Sequence, residues 1–340
     1  MPFRMPAEWE QQSSIWLSWP HNIETWPKNL EAAQIEFRKL VEAIAASQPV
    51  NILVGSEQLA AARERLALEN VCFVEIPTND AWARDYAPTF VKKFEEGAEP
   101  KLVAIDWHYN AWGGKYPPFD QDQKVARRVA EHLGIQFVSP GLCFEGGAIE
   151  MNESGVLLST KSCALDPNRN PDVNTEQVEQ IFGEFLGAKA VLWLSGDAIE
   201  GDDTDGHIDQ LARFTNDSTI VYAWTDDKQD GQYGGLAQNL KDLKNGLDKH
   251  GLEYRLVPLP IPAAMEFCDR RIPASYCNFL ITNNAVLVPK FDVPEDEIAL
   301  RILQPLFPNR TVVALPSKNL SVGLGSFHCL SQQQPFWNAE

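Results

Sequence analysis

The chain alternates between two hydrophobic periodicities about five times along its 340 residues. Short apolar runs typical of strands are separated by segments in which apolar residues recur with helical spacing. This alternation predicts an α/β fold. The predicted strands are residues 50–54, 71–76, 102–105, 135–138, 188–194, 219–223, 252–258, 279–282, 285–289 and 311–315, and the predicted helices are residues 29–47, 121–133, 173–186, 236–249 and 294–305.

Periodicity does not distinguish a doubly wound sheet from a barrel or a propeller of α/β units. No nucleotide-binding motif favours the doubly wound sheet. Gly323-x-Gly325 is followed by His328 where a third glycine would be needed, and Gly113-Gly114-Lys115 is followed by Tyr116 rather than Ser or Thr. No low-complexity segment or long linker divides the chain. Periodicity and motifs therefore do not determine how the sheets are arranged.

The composition excludes several classes of function. The net charge of −18 opposes binding to nucleic acid and favours approach of a cationic substrate, although it is also explained by solubility. No run of 18 apolar residues predicts a membrane span. The first residues lack an apolar signal region, so we expect a cytoplasmic protein with no membrane partner.

The six cysteines are scattered and include no Cys-x-x-Cys pair. This pattern predicts neither a disulfide framework nor a structural zinc site. Cys72 and Cys143 have apolar neighbours and are interpreted as core residues.

Cys329 differs from the other cysteines because it lies on a glycine-bearing loop, Gly323–Gly325, and precedes three glutamines and Pro335. Glycine lets a backbone approach a substrate closely, so such loops often display nucleophiles. Far upstream, His207-Ile208-Asp209 places an imidazole and a carboxylate two residues apart. In an extended segment they would face one site, although this segment taken alone favours a solvated acidic loop with a surface histidine. A cysteine with a remote histidine and carboxylates is typical of covalent catalysis by a thiolate.

Two further segments contain candidate site residues. Trp82-x-Arg84-Asp85 combines an aromatic face with an anion, which suits a guanidinium or an amine. A buried tryptophan beside an Arg84–Asp85 surface pair explains the segment as well. Glu145 follows apolar residues and precedes two glycines, so it is a candidate partner for a buried histidine.

Taken together, the ordered motifs resemble the agmatine deiminase family, which is close to the bacterial peptidylarginine deiminases. The motifs are Pro-Ala-Glu-Trp-Glu, Trp-x-Arg-Asp, Asn-Ala-Trp-Gly-Gly-Lys-Tyr, Glu-Gly-Gly, Asp-Gly-His-x-Asp and His-Cys-x-x-Gln-Gln-Gln-Pro, between Met5 and Pro335. The resemblance implies the pentein fold, a five-bladed α/β propeller with pseudo-fivefold symmetry, in a single catalytic domain over residues 1–340. It also implies hydrolysis of agmatine to N-carbamoylputrescine and ammonia, without a metal or an organic cofactor.

The resemblance also assigns a role to individual residues. The matched residues are Cys329 as the nucleophile, His207 as the general acid and base, Asp85 and Asp209 as the guanidinium-binding carboxylates, Glu145 as the partner of the histidine, Trp82 as the aromatic group against the substrate, and Asn278 as an asparagine near the site. The implied partner is a small cationic guanidino compound, and a homo-oligomer is compatible with the sequence.

One alternative is a deiminase of the same fold that acts on arginine or peptidyl-arginine and forms citrulline. The α-carboxylate of arginine would need a cation in the pocket. No basic cluster stands beside the motifs, but Arg270, Arg271 and Lys115 are candidates. An amidinotransferase, in which an amine replaces water, is a second alternative.

An alternative from another class is a non-catalytic metal-binding module. It would use His207, Asp209, His328 and Cys329, although this ligand set and its spacing are unusual for zinc.

Overall fold

A computed structural model describes residues 2–337 as a mixed α/β fold. The strands are β1 (Phe3–Arg4), β2 (Gln12–Ser18), β3 (Val50–Leu53), β4 (Val71–Val74), β5 (Thr89–Lys93), β6 (Lys101–Ile105), β7 (Gln136–Val138), β8 (Ile149–Met151), β9 (Val156–Thr160), β10 (Ala190–Leu194), β11 (Ala212–Asn216), β12 (Thr219–Trp224), β13 (Arg255–Pro260), β14 (Glu266–Phe267), β15 (Arg270–Arg271), β16 (Leu280–Ile281), β17 (Ala285–Lys290), β18 (Thr311–Pro316) and β19 (Ser331–Pro335).

The α-helices are α1 (Leu30–Ala45), α2 (Leu59–Arg65), α3 (Ala83–Tyr86), α4 (Ala111–Gly114), α5 (Val125–Leu133), α6 (Lys161–Ala164), α7 (Thr175–Ile181), α8 (Ile208–Leu211), α9 (Tyr233–His250) and α10 (Glu295–Leu303). Short 3₁₀ turns cover Asp122–Lys124, Gly146–Ala148, Tyr276–Asn278, Gln304–Leu306 and Leu320–Gly323, and Phe182–Leu186 forms a π-helical turn.

Five sheets in the described part of the chain repeat one connection. In each, a first strand pairs antiparallel with a second, and the second pairs parallel with a third after a crossover that contains a helix. Such a crossover is how parallel neighbours are joined in α/β proteins. The five units are β5-β6-α5-β7, β8-β9-α7-β10, β11-β12-α9-β13, β16-β17-α10-β18 and β19-β2-α1-β3.

The last unit joins the two ends of the chain. Strand β19 pairs antiparallel with β2, with Gln333 opposite Ile15. Ile15, Trp16 and Leu17 of β2 are fully buried and belong to the largest apolar cluster. Burial of this surface is the main favourable contribution to folding.

Local signals explain where several elements begin and end. Asn174 accepts a hydrogen bond from the Gln177 backbone, and the Gln177 side chain accepts from the Asn174 backbone, so a capping box starts α7 as its sequence predicts. Gly134 ends α5 with a left-handed φ of 65°, a conformation that glycine adopts without steric cost.

The sequence patterns missed several strands. The segment at β19 reads Ser-Gln-Gln-Gln-Pro and has no apolar residue before its proline, yet all five residues are buried. The three glutamine side chains accept hydrogen bonds from partners remote in sequence, and Gln334, for example, accepts from the Trp16 indole (2.8 Å). The prediction that Cys72 is a core residue is wrong, because it lies exposed on β4, whereas Cys143 is buried. No helix among residues 2–337 is long and apolar enough to cross a membrane.

The repeated units place their first strands close to the candidate site. The short segment before each first strand contains one or two of the residues singled out from the sequence. Asp85 precedes β5, Glu145 precedes β8, His207 and Asp209 precede β11, Asn278 precedes β16 and Cys329 precedes β19.

Candidate active site

These five segments meet beside a cavity of about 640 Å³. Cys329, Asp85 and Trp82 line the cavity. His207, Asp209 and Asn278 are completely buried next to these lining residues. The fold therefore brings one thiol, one imidazole and several carboxylates together from five remote parts of the sequence.

The Cys329 thiol has two polar neighbours. The Asn278 amide nitrogen lies 3.1 Å from Sγ, and Asp209 Oδ2 lies 3.5 Å from it. Asn278 Oδ1 also accepts from the His328 backbone N–H (3.1 Å), which fixes the loop that carries the thiol. Burial raises the pKa of Cys329 well above its usual value, and the charges of Asp209 and Asp85 add to this effect. The thiol of the free protein is therefore protonated at neutral pH.

The His207 ring lies between two carboxylates. Nδ1 is 3.6 Å from Asp85 Oδ1, and Nε2 is 3.5 Å from Glu145 Oε2, which are ion-pair distances slightly longer than a hydrogen bond. Burial acts to lower the pKa of His207, but these two carboxylates and Asp209 raise it to about 9. The imidazole is therefore positively charged at neutral pH.

Glu145 is held in its charged form by a residue that sequence reasoning missed. The Arg169 guanidinium donates from Nε to both Glu145 oxygens (2.9 and 3.1 Å), and both side chains are fully buried. Burial acts to raise the pKa of Glu145, but Arg169 and His207 hold it below its usual value. Nothing in the sequence near Arg169 pointed to this pair.

Asp85 is oriented by two donors. Its Oδ1 accepts from the Gly147 backbone N–H (3.0 Å), and its Oδ2 accepts from the Trp112 indole (3.0 Å). Burial raises the pKa of Asp85 to about 6, although the charge of His207 opposes this effect. A carboxylate can accept about four hydrogen bonds, so both oxygens retain capacity for a guanidinium.

Asp209 has one oxygen engaged and one without a protein partner. Its Oδ2 contacts His328 Nδ1 (2.8 Å), whereas its Oδ1 is buried and makes no hydrogen bond within residues 2–337. Burial acts to raise the pKa of Asp209, but His328 and His207 lower it. A buried carboxylate oxygen of this kind is well suited to accept a hydrogen bond from a bound cation.

Trp82 forms part of the cavity wall beside the nucleophile loop. Its ring packs on Trp26, with centroids 5.4 Å apart. A β-carbon at Gly325 would lie only 2.4 Å from the Trp82 ring, so glycine at this position allows the loop to pack against the indole.

Trp112 was not among the candidate residues, although it lies in the Asn-Ala-Trp-Gly-Gly-Lys-Tyr motif. It lines the cavity with φ = 57°, next to Ala111 with φ = 56°. Residues other than glycine rarely adopt this left-handed backbone conformation, and such outliers concentrate at functional sites. Here the conformation accompanies the hydrogen bond from the Trp112 indole to Asp85.

Two local interpretations of the sequence were wrong. His207 and Asp209 are not on an extended segment, because His207 caps the single-turn helix α8, which contains Asp209. Arg84 and Asp85 do not form a surface pair. Arg84 is buried and donates to the His328 carbonyl (3.2 Å) and the Gln333 side chain (2.6 Å), which ties α3 to the segment that carries the nucleophile.

The ligands suggested for a metal-binding module do not assemble among residues 2–337. Within this range, the one group with three candidate ligand atoms within 4.8 Å of one another is Glu8, Glu150 and His328. The Arg213 guanidinium already binds both carboxylates, at 2.5 Å from Glu8 and 2.6 Å from Glu150. This cluster is therefore a buried network of ion pairs.

A family model described as "Porphyromonas-type peptidyl-arginine deiminase" matches residues 4–335. The agmatine deiminase of Pseudomonas savastanoi pv. phaseolicola is 37% identical, over 98% of this chain and 95% of that protein. A solved structure of the C. jejuni agmatine deiminase, a Cys-to-Ser variant with substrate bound, is 31% identical with a TM-score of 0.88, and the match covers 98% of this chain and 96% of that one.

A more distant likeness concerns the fold alone. The structure of an amidinotransferase from Microseira wollei covers 100% of this chain and 98% of its own, with 11% identity and a TM-score of 0.55. The family resemblance predicted from the motifs is confirmed by the near full-length matches. The chain belongs to the family of agmatine deiminases and Porphyromonas-type peptidyl-arginine deiminases.

Proposed function

We propose that this protein is an agmatine deiminase, a hydrolase that converts agmatine and water to N-carbamoylputrescine and ammonia. The observation that carries the proposal is the site itself, in which a buried thiol lies 3.5 Å from Asp209 at an acidic cavity that Asp85 also lines, and a charged His207 lies 3.6 Å from Asp85. The catalytic residues are Cys329, His207, Asp85, Asp209 and Glu145, and the substrate contacts are Trp82, Asp85, Asp209 and Asn278.

Binding positions the guanidinium for attack. A guanidinium is a resonance-stabilised cation and a poor electrophile, so catalysis depends on holding its carbon close to sulfur. Asp85 and Asp209 accept its N–H groups in charge-assisted hydrogen bonds. The bound positive charge also offsets the two carboxylates that raise the pKa of Cys329, so it favours the thiolate.

The reaction then passes through a covalent intermediate. The Cys329 thiol loses its proton to solvent as the cation binds. The resulting thiolate forms a C–S bond with the guanidinium carbon, and His207 gives its proton to the departing nitrogen, which leaves as ammonia. An amidino-cysteine remains. Water attacks the same carbon while neutral His207 accepts a proton from it, the C–S bond breaks, and the ureido product leaves. Glu145, held by Arg169, stabilises the charged form of His207 that donates the proton in the first step.

The charges around the cavity favour agmatine over arginine. Arg270 is the one Lys or Arg residue among the cavity-lining residues described here, and it contacts Asp203 (3.4 Å). Arg271 and Lys115 are paired with Glu200 and Asp205. The α-carboxylate of arginine would thus find no unpaired cation in the cavity, whereas the primary amine of agmatine would lie near carboxylates. The acidic residues of the lining are Glu24, Asp80, Asp85, Asp122 and Asp203.

Ammonia release measured side by side with agmatine, free arginine and a peptide with C-terminal arginine tests the proposal. We expect kcat/KM for agmatine to exceed that for either arginine substrate by at least about 100-fold, because burying an unpaired carboxylate among carboxylates is costly. Equal or greater activity on arginine would assign the protein to the citrulline-forming deiminases instead.

The titration of Asp85 and His207 predicts a bell-shaped dependence of kcat/KM on pH. Asp85 must be ionised, and its pKa is raised to about 6, so activity is lost as the pH falls through that value. His207 must be protonated, and its pKa is raised to about 9, so activity is lost as the pH rises through that value. Initial rates at subsaturating agmatine measure both limbs. A single limb near the unperturbed histidine value of about 6.5 would contradict the assignment.

Gly147→Ala should disturb the alignment of the same two groups. A β-carbon at Gly147 would lie 2.6 Å from His207 Nδ1 and 2.7 Å from Asp85 Oδ1, so one of them must move. We expect kcat/KM to fall by about 100-fold, the typical effect of a displacement of about 1 Å at a reacting group. Gly234→Ala is the matched control, because its β-carbon meets no atom within 4 Å. Equal activity of the two variants would show that the contact at Gly147 relaxes without cost.

We also propose that the five repeated units are the blades of a pentein propeller, and that residues 1–340 form one catalytic domain. The proposal is supported by the segments before the five first strands, which all contribute to one site. It is further supported by the β19–β2 pairing, which brings both ends of the chain into the same unit.

A further inference from the structure

His328, which precedes the nucleophile, has a carboxylate at each ring nitrogen. Nδ1 lies 2.8 Å from Asp209 Oδ2, and Nε2 lies 3.0 Å from Glu8 Oε2. The ring is fully buried. The mechanism above does not use His328 or Glu8, although both belong to motifs that identify the family.

The chemistry of the two contacts determines the state of the ring. A neutral imidazole has one donor and one acceptor nitrogen, whereas an ionised carboxylate can only accept. Apart from His328 itself, the Arg213 guanidinium acts to lower the pKa of Glu8 against the effect of burial, and His207 and Arg213 act to lower the pKa of Asp209. Two ionised carboxylates at these distances require both ring nitrogens to donate.

Five buried charged groups lie around this ring. The carboxylates that face it come from the segment before β2, from β8 and from α8, and the guanidiniums come from α3 and β11. Of these groups, Glu8 and Asp209 contact the ring nitrogens directly, and a positive charge between two buried carboxylates is favoured because an uncompensated buried charge is costly. The groups are Glu8, Glu150 and Asp209 with negative charge, and Arg84 and Arg213 with positive charge.

We propose that His328 is a positioning residue, held by Glu8 as an imidazolium, that engages Asp209 Oδ2 and leaves Oδ1 directed to the substrate guanidinium. The role in positioning rests on the proposed function, because it concerns the carboxylate assigned to the guanidinium. It is supported by the unpartnered, buried Oδ1 and by the 3.5 Å distance from Oδ2 to the Cys329 sulfur.

Glu8 is anchored independently of His328. Its Oε2 also accepts from Arg213 (2.5 Å), and its Oε1 accepts from the Ile281 backbone (2.8 Å). Arg213 in turn donates to the carbonyls of Cys277 and Phe279 (3.0 and 2.8 Å), on either side of Asn278. The N-terminal motif therefore connects to the nucleophile through one continuous network.

Nuclear magnetic resonance of the full-length protein with ¹⁵N-labelled histidine tests the state of the ring. We expect His328 to show two protonated ring nitrogens between about pH 7 and about pH 8.5, a range in which an ordinary histidine is mostly neutral. Loss of the signal in His328→Gln assigns it. If that variant does not fold, substitution of the other five histidines assigns it by elimination. A neutral ring in this range overturns the proposal.

Glu8→Gln and Glu150→Gln form a matched pair, because each removes one buried carboxylate that binds Arg213. Only Glu8→Gln removes a partner of His328. We therefore expect a neutral His328 and at least about a tenfold loss of kcat/KM in Glu8→Gln. In Glu150→Gln we expect His328 to remain an imidazolium. An imidazolium retained in folded Glu8→Gln, or equal kinetic losses in both variants, overturns the proposal. Absence of agmatine turnover in the unmodified protein would refute the proposed function, while the resonance experiment would still decide the state of His328.

Discussion

Replacement of Cys329 by serine is expected to lower agmatine turnover by at least about 10,000-fold while binding of agmatine persists. The hydroxyl is close in size to the thiol, so Asn278 and Asp209 keep a polar neighbour at the same place. A serine hydroxyl is much harder to ionise than a thiol and has no base of matching strength here, because His207 is already protonated at neutral pH. Ammonia release measures turnover, and titration calorimetry measures binding.

Cys72→Ser is the control for loss of a thiol away from the site, because Cys72 is exposed on β4. We expect it to retain full activity. Turnover by the Cys329→Ser variant above a few per cent of the normal rate, with an unchanged circular dichroism spectrum, would remove Cys329 as the nucleophile.

Asp85→Asn should have the second largest effect. It removes one of the two anions proposed to bind the guanidinium. A hydrogen bond to a charged group contributes about 1.5–3 kcal/mol, so loss of the two that the Asp85 oxygens can accept should lower kcat/KM at least about 100-fold. It also removes a carboxylate that raises the pKa of His207. The basic limb of the pH profile should therefore move below its normal position near pH 9, because His207 then loses its proton at lower pH.

Asp106→Asn provides the comparison for this variant. Asp106 is also buried and pairs with Arg127 (3.2 Å), but it does not line the active cavity. We expect its kcat/KM and both pH limbs to stay within about twofold of the normal values, as for most changes remote from a site. A basic limb that stays near pH 9 in Asp85→Asn would show that Asp85 is not the group that holds the charge of His207.

Each strand and helix predicted from local patterns has a counterpart in the structure, although several strands were not predicted. The predicted helix over residues 236–249 corresponds to α9, and the predicted strand over 285–289 corresponds to β17. Both depend on periodicity and end signals carried by neighbouring residues. The patterns failed at β19, where buried glutamines bond to residues more than 240 positions away, such as Arg84. No local window contains that information.

The candidate site likewise contains residues that the sequence identifies and residues that only the structure reveals. The motifs singled out Cys329, His207, Asp85, Asp209, Glu145, Trp82 and Asn278, and the structure brings these residues together; their roles remain predictions. Sequence reasoning missed Arg169, which holds Glu145, and gave Glu8 no role although its motif was noted. Glu8 and Arg213 are 205 residues apart, and their pairing depends on how the N-terminal segment packs against β11.

Residue order alone was enough to indicate alternating strands and helices, the family, and the residue types that guanidine chemistry requires, because these properties lie in short stretches of chain. Protonation states and hydrogen-bond partners could not be obtained in that way. They depend on burial and on charges a few ångströms apart, and these follow from how the segments before the five first strands pack together. The charged form of His207 and the free oxygen of Asp209 are therefore properties of the folded molecule.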